Sequence, residues 1–282
     1  SNTTYPIVIK ADGLAAGKGV LISLTKEEAQ QGVREMMEDK VFGLAGDEII
    51  IEEFMTGPEL SMLCFVDSKT VVPMVSAKDY KRIGENDTGL NTGGMGAISP
   101  NPLYDGDLEA HCLENIIEPT LRGMRKEGRP FKGILYCGIM LTETGPKVLE
   151  YNVRFGDPET QVILPRLKTD LLDIFEAVID DSLSDLDVQW DQSAAATVVL
   201  ASQGYPEAYP KGLVISGLDM VRDSVVFHAG TAEKEEEVVT SGGRVLTITT
   251  RAATVADALT TSYHNADLIH FDGKTLRRDI GS

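Results

Sequence analysis

Two short apolar runs, Ile7-Val8-Ile9 and Val20-Leu21-Ile22, stand on either side of a loop that holds Gly13, Gly17 and Gly19. Neither run carries a helical period, so the segment reads as strand, glycine-rich loop, strand. Thr25-Lys26-Glu27-Glu28 has the spacing of a capping box and predicts a helix through about Met37. Strands are predicted over 48–54, 60–66 and 70–76, with Thr56-Gly57-Pro58-Glu59 as the turn between the first two. An amphipathic helix is predicted over 108–126, a strand over 134–142 and a helix over 170–180. Residues 78–101 mix charge, Gly and Asn with almost no period, as a long functional loop does. Beyond the acidic stretch 180–187, short β-like runs (195–201, 213–215, 225–228, 245–250) alternate with Gly, Pro and Asp turns, which places a domain boundary near residue 187. The chain shows no internal repeat or low-complexity tract.

A length of 282 residues leaves room for two domains with substantial cores. The net charge of −18 argues against nucleic acid or an anionic membrane as a partner, because surfaces that track phosphates are normally basic. Local Lys and Arg can still hold a nucleotide. No apolar run reaches spanning length and Ser1-Asn2 opens no secretory pattern, resembling instead a remnant of tag cleavage, so a soluble cytoplasmic protein is expected. Cys64, Cys112 and Cys137 are odd in number, widely spaced and set among apolar neighbours. Packing thiols fit that setting better than a disulfide framework, a zinc site or a nucleophile.

The densest chemistry lies in Glu150-Tyr151-Asn152-Val153-Arg154-Phe155-Gly156-Asp157-Pro158-Glu159-Thr160-Gln161. Lys147-Val148-Leu149 reads as a strand ending at Glu150, so Glu150 and Asn152 point to one side of an extended backbone, and Arg154 continues on that side. Two hard oxygen donors suit magnesium, which takes one or two protein ligands and completes its octahedron with water and phosphate oxygens. Alternating Glu, Asn and Arg can also be a solvated face. The turn Phe155-Gly156-Asp157-Pro158, which would hold the strand end over a cleft, weighs toward a site. In the glycine-rich hairpin, backbone N–H groups and Lys18 can close on phosphate oxygens. It is not a P-loop, because three residues rather than four precede Gly17-Lys18 and Gly19 follows where Ser or Thr would stand. A plain turn accounts for it equally well.

Four segments in order, Lys10-Ala11-Asp12-Gly13-Leu14-Ala15-Ala16-Gly17-Lys18-Gly19-Val20, Asn91-Thr92-Gly93-Gly94-Met95-Gly96-Ala97, Gly133-Ile134-Leu135-Tyr136 and Arg154-Phe155-Gly156-Asp157-Pro158-Glu159, are similar to those of the glycinamide ribonucleotide synthetase (phosphoribosylamine-glycine ligase) family, ATP-grasp enzymes of de novo purine synthesis. Gly204-Tyr205-Pro206, His228-Ala229-Gly230-Thr231 and Ser241-Gly242-Gly243-Arg244-Val245 extend the resemblance into that family's C-terminal domain. The resemblance implies an α+β protein: an ATP-grasp fold, two α+β subdomains clasping ATP, followed by a small β-rich C-terminal domain. Its parts would be a lid subdomain with the flap over 1–56, a core subdomain with the metal and substrate site over 57–187, and the C-terminal domain over 188–282.

By the same resemblance, Lys10, Gly13, Gly17, Lys18 and Gly19 would lie over the phosphates of ATP, the backbone from Glu52 through Glu53 and Phe54 to Met55 would meet adenine, and Glu59 would accept bonds from the ribose hydroxyls. Glu52 and Glu53 cannot both face a core, so at least one needs another role. Glu150 and Asn152 would hold Mg2+, with Mn2+ as a possible substitute. Asp79, Lys81, Arg82, Asn91, Thr92, Gly93, Gly94, Met95, Gly96 and Arg154 would line the pocket for glycine and 5-phosphoribosylamine, with Arg154 and Asp157 nearest the chemistry. The implied reaction is ATP-dependent ligation through glycyl phosphate.

The chain departs from the pattern in three places. The family's opening glycine-rich domain of about a hundred residues has no counterpart, so a truncated fragment is expected, whose unaided activity is in question. Tyr80 stands where the family usually has His, and Leu90 where Pro usually precedes Asn91. A different ATP-grasp carboxylate-amine ligase and a non-catalytic nucleotide-binding module remain as other readings.

Overall fold

The computed structural model describes residues 4–15 and 19–282, so Gly17 and Lys18 of the flap lie outside the described residues. The chain divides into two compact units, residues 1–58 with 142–144, and residues 59–141 with 145–282.

The first unit contains β1 (Ile7–Ala11), β2 (Val20–Ser23), α1 (Lys26–Met37) and β3 (Ile49–Glu53). The strands form an antiparallel sheet in the order β2-β1-β3. Ile7 and Ile9 turn inward and pack with Ala29 and Met36 of α1. Lys10 pairs with Val20 on one side and Ile50 on the other, so these three share the opposite face, where Val20 and Ile50 are exposed. The predicted capping box is present with one displacement. Thr25 Oγ1 accepts from the Glu28 N–H at 3.2 Å, while the Glu28 carboxylate accepts from Leu24, one residue before the cap, at 2.7 Å.

The second unit begins with β4 (Glu59–Val66), β5 (Val71–Pro73), β6 (Lys78–Asp79), β7 (Arg82–Gly84), β8 (Thr88–Asn91) and β9 (Gly96–Ser99). It continues through α2 (Gly106–Cys112), α3 (Glu118–Lys126), β10 (Gly133–Thr142), β11 (Gly145–Asn152), α4 (Thr160–Ile163) and α5 (Leu171–Asp180). Last come β12 (Ala194–Ser202), β13 (Val225–His228), β14 (Thr231–Lys234), β15 (Glu237–Thr240), β16 (Arg244–Ala252) and α6 (Val255–Leu268). A π-helical turn, Leu113–Ile117, joins α2 to α3, so the helix predicted over 108–126 exists as one rod with a bulge in its middle.

One sheet has the order β11-β10-β4-β5. Period-two alternation sends Leu60, Met62, Cys64 and Val66 of β4, with Leu135, Cys137 and Ile139 of β10, toward the α2–α3 rod. Phe65 of β4, with Ile134 and Tyr136 of β10, packs on the other face with Val162, Ile163, Ile174 and Val178. Both strands therefore read as continuous apolar runs. The three cysteines are unbridged and buried, and burial pushes the Cys137 thiol up to about 12.

A second sheet has the order β13-β16-β12-β9-β6, so strands from both sides of residue 187 share it. All nine residues of β12 are buried. Small or short side chains of α6, Ala258, Ser262, Asn265 and Ala266, cover this sheet, and Ser262 donates to Thr250 Oγ1 at 2.8 Å. The sequence pattern missed α6, because its Ala, Ser and Thr positions give little apolar contrast between faces. The loop expected over 78–101 is also different. It contains β6 to β9, and their Gly and polar content hid the ladder. The strand expected to end at Glu150 runs on to Asn152.

Phe65 is fully buried and meets the Phe155 ring edge-on, centroids 6.3 Å apart at 83°. Phe65→Ala is expected to cost about 3–5 kcal/mol by removing both the transfer energy and the packing around it. The check is a urea titration, in which the midpoint falls while the slope is unchanged.

Candidate functional site

In the first unit, Lys10 projects from β1 and forms an ion pair with Glu52 on β3 at 2.6 Å. Their registers explain it: Glu52 lies opposite Val8, so Lys10 and Glu52 are diagonal neighbours on one face. Glu53, on the other side of the strand, lies opposite Ile7, and Phe54 is partly exposed at the strand end. The hairpin closes through Ala11 N–H to Gly19 O at 2.8 Å. Gly13 has a packing reason for being glycine, since a Cβ there would stand 2.5 Å from Ala45 Cα. Its own N–H is given to Ala45 O at 3.0 Å.

In the second unit, β11 carries Glu150 and Asn152 on one side, as alternate positions require. The Asn152 amide donates to Glu150 Oε1 at 3.0 Å, so the amide nitrogen is engaged and the pair's other two oxygens are Glu150 Oε2 and Asn152 Oδ1. Arg154 Nη2 lies 3.5 Å from that Oδ1, and Nη1 donates to Phe155 O at 2.8 Å. Among the described residues no cluster of three His, Cys, Asp or Glu forms a metal cage. A two-oxygen pair is the donor set that suits a magnesium ion sharing its shell with phosphate and water.

Beside that strand lies a group of interacting charges, of which only Glu159 is buried as a whole residue. Lys81 is ion-paired to Glu59. Burial works against its ammonium, but Glu59, Asp79 and Glu150 outweigh burial and hold its pKa above the ordinary lysine value. Glu159 is almost wholly buried and is satisfied by Tyr136 OH at 2.9 Å and Ser61 Oγ at 3.1 Å. Burial and then the Glu159 charge push the Tyr136 phenol up. Asp79 is the outlier, because its buried Oδ1 has no hydrogen-bond partner among the described residues. Burial and the nearby Glu159 push its carboxyl well above the usual range, against the pull of Lys81 and Arg244.

Segment 91–96 stands next to this group, fixed by its own amides. Thr92 N–H bonds to Lys81 O, Met95 N–H to Tyr80 O, Gly94 N–H to Thr92 Oγ1 and Gly93 N–H to Tyr205 OH, all at 2.8–2.9 Å. The Met95 side chain is buried, and Gly96 sits where a Cβ would meet Thr197 O at 2.7 Å. Arg82 Nη1 is given to Gly89 O at 2.8 Å within the β7–β8 hairpin, where Asn91 is its ladder partner.

Two residues that the sequence did not single out as site residues reach this segment from beyond residue 187. Arg244 binds Asp157 through both Nη atoms, at 3.2 and 3.1 Å, and Nη1 also meets Asp157 O at 3.0 Å and Gly93 O at 2.5 Å. Tyr205 is the second. The Gly-Gly-Arg and Gly-Tyr-Pro motifs in which they lie were the available signal, but nothing in local spacing shows which distant backbone they hold. The structure thus gathers Glu59, Asp79, Lys81, Thr92, Gly93, Gly94 and Asp157 around shared contacts, with the Glu150 charge reaching Lys81.

Asp79 gives a pH prediction. In the folded chain its carboxyl keeps a proton at pH values where the unfolded chain has lost it, so its contribution to stability is full below the ordinary Asp value and declines as pH rises toward the raised folded one. Asp79→Asn should therefore raise Tm at neutral pH and flatten the Tm profile from about pH 4 upward. Thermal melts of both forms across that range check the sign.

Residues 1–160 match the family model of the phosphoribosylglycinamide synthetase ATP-grasp (A) domain, and residues 195–282 match that of the phosphoribosylglycinamide synthetase C domain. The chain is 50% identical over 278 residues to a phosphoribosylamine–glycine ligase of Halalkalibacterium halodurans, covering 98% of this chain and 64% of the relative. It is 51% identical over 285 residues to the trifunctional purine biosynthetic protein adenosine-3 of Gallus gallus, covering 100% of this chain and 28% of that protein. It therefore spans less than two thirds of the length of either relative. The crystal structure of a phosphoribosylamine–glycine ligase from Thermotoga maritima superposes with a TM-score of 0.85 at 40% identity, covering 98% of this chain and 68% of that one. With its ATP-grasp segment followed by the matching C domain, the chain belongs to the phosphoribosylglycinamide synthetase family.

Proposed function

We propose that this chain is the ATP-grasp and C-terminal portion of a ligase that joins glycine to 5-phosphoribosylamine, giving glycinamide ribonucleotide, ADP and phosphate in purine biosynthesis in the cytoplasm. The observation that carries the reading is the oxygen pair of Glu150 and Asn152 on one side of β11 beside Arg154, with the Glu150 charge felt at the half-buried Lys81 next to Asp79. The three-part division into a lid at 1–56, a core at 57–187 and a C-terminal part at 188–282 belongs to the same proposal.

Glycine's carboxylate is a poor acyl donor until it is phosphorylated. Its oxygen attacks the γ-phosphorus of ATP, the bond to the β-phosphate oxygen breaks, and glycyl phosphate and ADP result. The amine of phosphoribosylamine then attacks the acyl carbon, and the C–O bond to phosphate breaks. Such transfers ask the protein for positioning and charge compensation rather than for a covalent nucleophile. Glu150 and Asn152 would hold Mg2+, or Mn2+ with its similar taste for oxygen donors. A bound divalent ion supplies charge neutralisation on the phosphate oxygens.

The remaining work falls to the chain's own side chains. Lys10, with the flap glycines Gly13, Gly17 and Gly19 and Lys18, would take the phosphates. Glu52 steadies the Lys10 ammonium. The backbone from Glu52 to Met55 would meet adenine, and Glu59 the ribose. Arg154 would offer a positioned cation to the transferring group, since its Nη1 donates to Phe155 O. Asp79, Lys81, Arg82, Asp157 and segment 91–96 would form the wall of the substrate pocket. Asp79 is suited to receive a substrate ammonium, because its buried Oδ1 has no partner in the chain's described residues.

Phosphate release with Mg-ATP, glycine and fresh phosphoribosylamine tests the reading. It is measured for this chain, for the chain joined to the part of the relatives outside the match, and for Glu150→Ala in each. Release that needs both substrates, and falls about 100-fold or more in the variant, is the expected result. No substrate-dependent release in either form would leave a nucleotide-binding module or another carboxylate-amine ligase.

A further inference from the structure

Arg244 is the first residue of β16, and its place in the ladder is set before its side chain is considered: it pairs with Ala201 of β12 and its carbonyl accepts from Gly230 N–H at 2.9 Å. The guanidinium leaves this anchored backbone and gathers acceptors from two separate stretches. Asp157 contributes both carboxylate oxygens and its carbonyl, and Gly93 and Gly94 contribute carbonyls at 2.5 and 3.4 Å. A planar fork that takes both carboxylate oxygens fixes orientation as well as distance, which a lysine cannot reproduce.

The glycines at 93 and 94 follow from that packing. A Cβ on Gly93 would lie 2.9 Å from Arg244 Cζ, and one on Gly94 would lie 2.3 Å from Pro158 Cδ and 2.6 Å from Asp79 Oδ1. Gly94 also has φ +107°, a backbone that side-chain-bearing residues rarely adopt. Tyr205 secures the same turn by accepting the Gly93 N–H. Its ring lies against Gly243, where a Cβ would come within 2.1 Å. With every N–H from Thr92 to Met95 already bonded within the chain, this segment has no amide to offer a phosphate, and its part in binding is to be a wall of fixed shape.

We propose that Arg244 is a positioning residue, assisted by Tyr205, which holds the Asp157 carboxylate and the Gly93–Gly94 turn in one arrangement and so makes the substrate wall dependent on the C-terminal sheet. This deepens the ligase reading and rests on it for the meaning of the wall, but the clamp itself can be measured without activity. Arg244 also lies close enough to lower the Asp79 carboxyl against its burial, so its loss would disturb the same wall a second way.

Hydrogen–deuterium exchange on this chain gives the first readout. Arg244→Ala should speed exchange across residues 92–96 by about tenfold or more, as local opening becomes easier, while β12 and the body of β16 stay protected. Tyr205→Phe, a milder change that keeps the ring on Gly243, should speed Gly93 alone. Unchanged exchange at 92–96 in both variants overturns the clamp.

The second readout is phosphate release from the chain joined to the rest of the family's length. Arg244→Ala should raise KM for glycine or phosphoribosylamine about tenfold or more, with a smaller change in KM for ATP. Arg244→Lys should recover little, whereas guanidinium added below denaturing concentrations should recover part of the loss. KM values within twofold of wild type overturn the positioning role. If the wild-type protein itself shows no release that depends on glycine, the ligase reading fails and exchange alone decides the clamp.

Discussion

Burial of β4 and β10 on both faces is the constraint from which the rest follows. A strand pair with helices above and below must be apolar at nearly every position, yet these two strands also carry Ser61 and Tyr136 into the interior. Those hydroxyls are tolerable because they meet Glu159, and Glu159 is tolerable because they meet it. The exchange fixes the start of the helical turn that follows Pro158, and with it the loop that bears Asp157. Local close packing carries the constraint further, since a Cβ on Gly156 would fall 2.4 Å from Glu159 Oε2. The chemistry of segment 150–161 is thus set from below by a core that has no catalytic task of its own.

The charge distribution has a similar logic. A chain with a net charge of −18 presents an adverse field to any anion, and cations near segment 150–161 and in β1 are held by carboxylates. Lys10 is held by Glu52, Lys81 by Glu59 and Arg244 by Asp157. Each is steered by a carboxylate that keeps it in place while reducing its net charge. Asp79 is the reverse case, a carboxylate buried without a hydrogen bond to its Oδ1, and proteins accept that kind of local cost where binding depends on it.

Much of this was legible in the sequence because it rests on local pattern. The apolar run over 134–142, the capping box at Thr25 and the glycine-rich hairpin each depend on residues a few positions apart, and each appears where expected. The shared side of Glu150 and Asn152 was legible for the same reason, since alternate strand positions share a side whatever the strand's partners are. The strands inside 78–101 were not, because β6 to β9 are short, and β6 and β9 draw their stability from the sheet built by residues a hundred positions later. Helix α6 was hidden by composition: a helix that packs closely uses small residues, and small residues give weak contrast. The grip of Arg244 on residues 87 and 151 positions away lies furthest from any local signal.

The shared sheet has a consequence for ancestry. Strand β12 sits between β16 and β9, so the segment after residue 187 supplies the inner strand against which the earlier segment's β9 and β6 are laid. Cutting or recombining the gene near residue 187 would leave β9 as a bare edge, with a row of unpaired amides and the fully buried side chains of Gly96–Ser99 facing water. The two halves are therefore bound to descend together. A homologous C domain could replace this one only if its inner strand matched the register Ala195↔Ser99 to Val198↔Gly96, which makes that four-residue ladder a narrower barrier to shuffling than the acidic junction over 180–187 suggests.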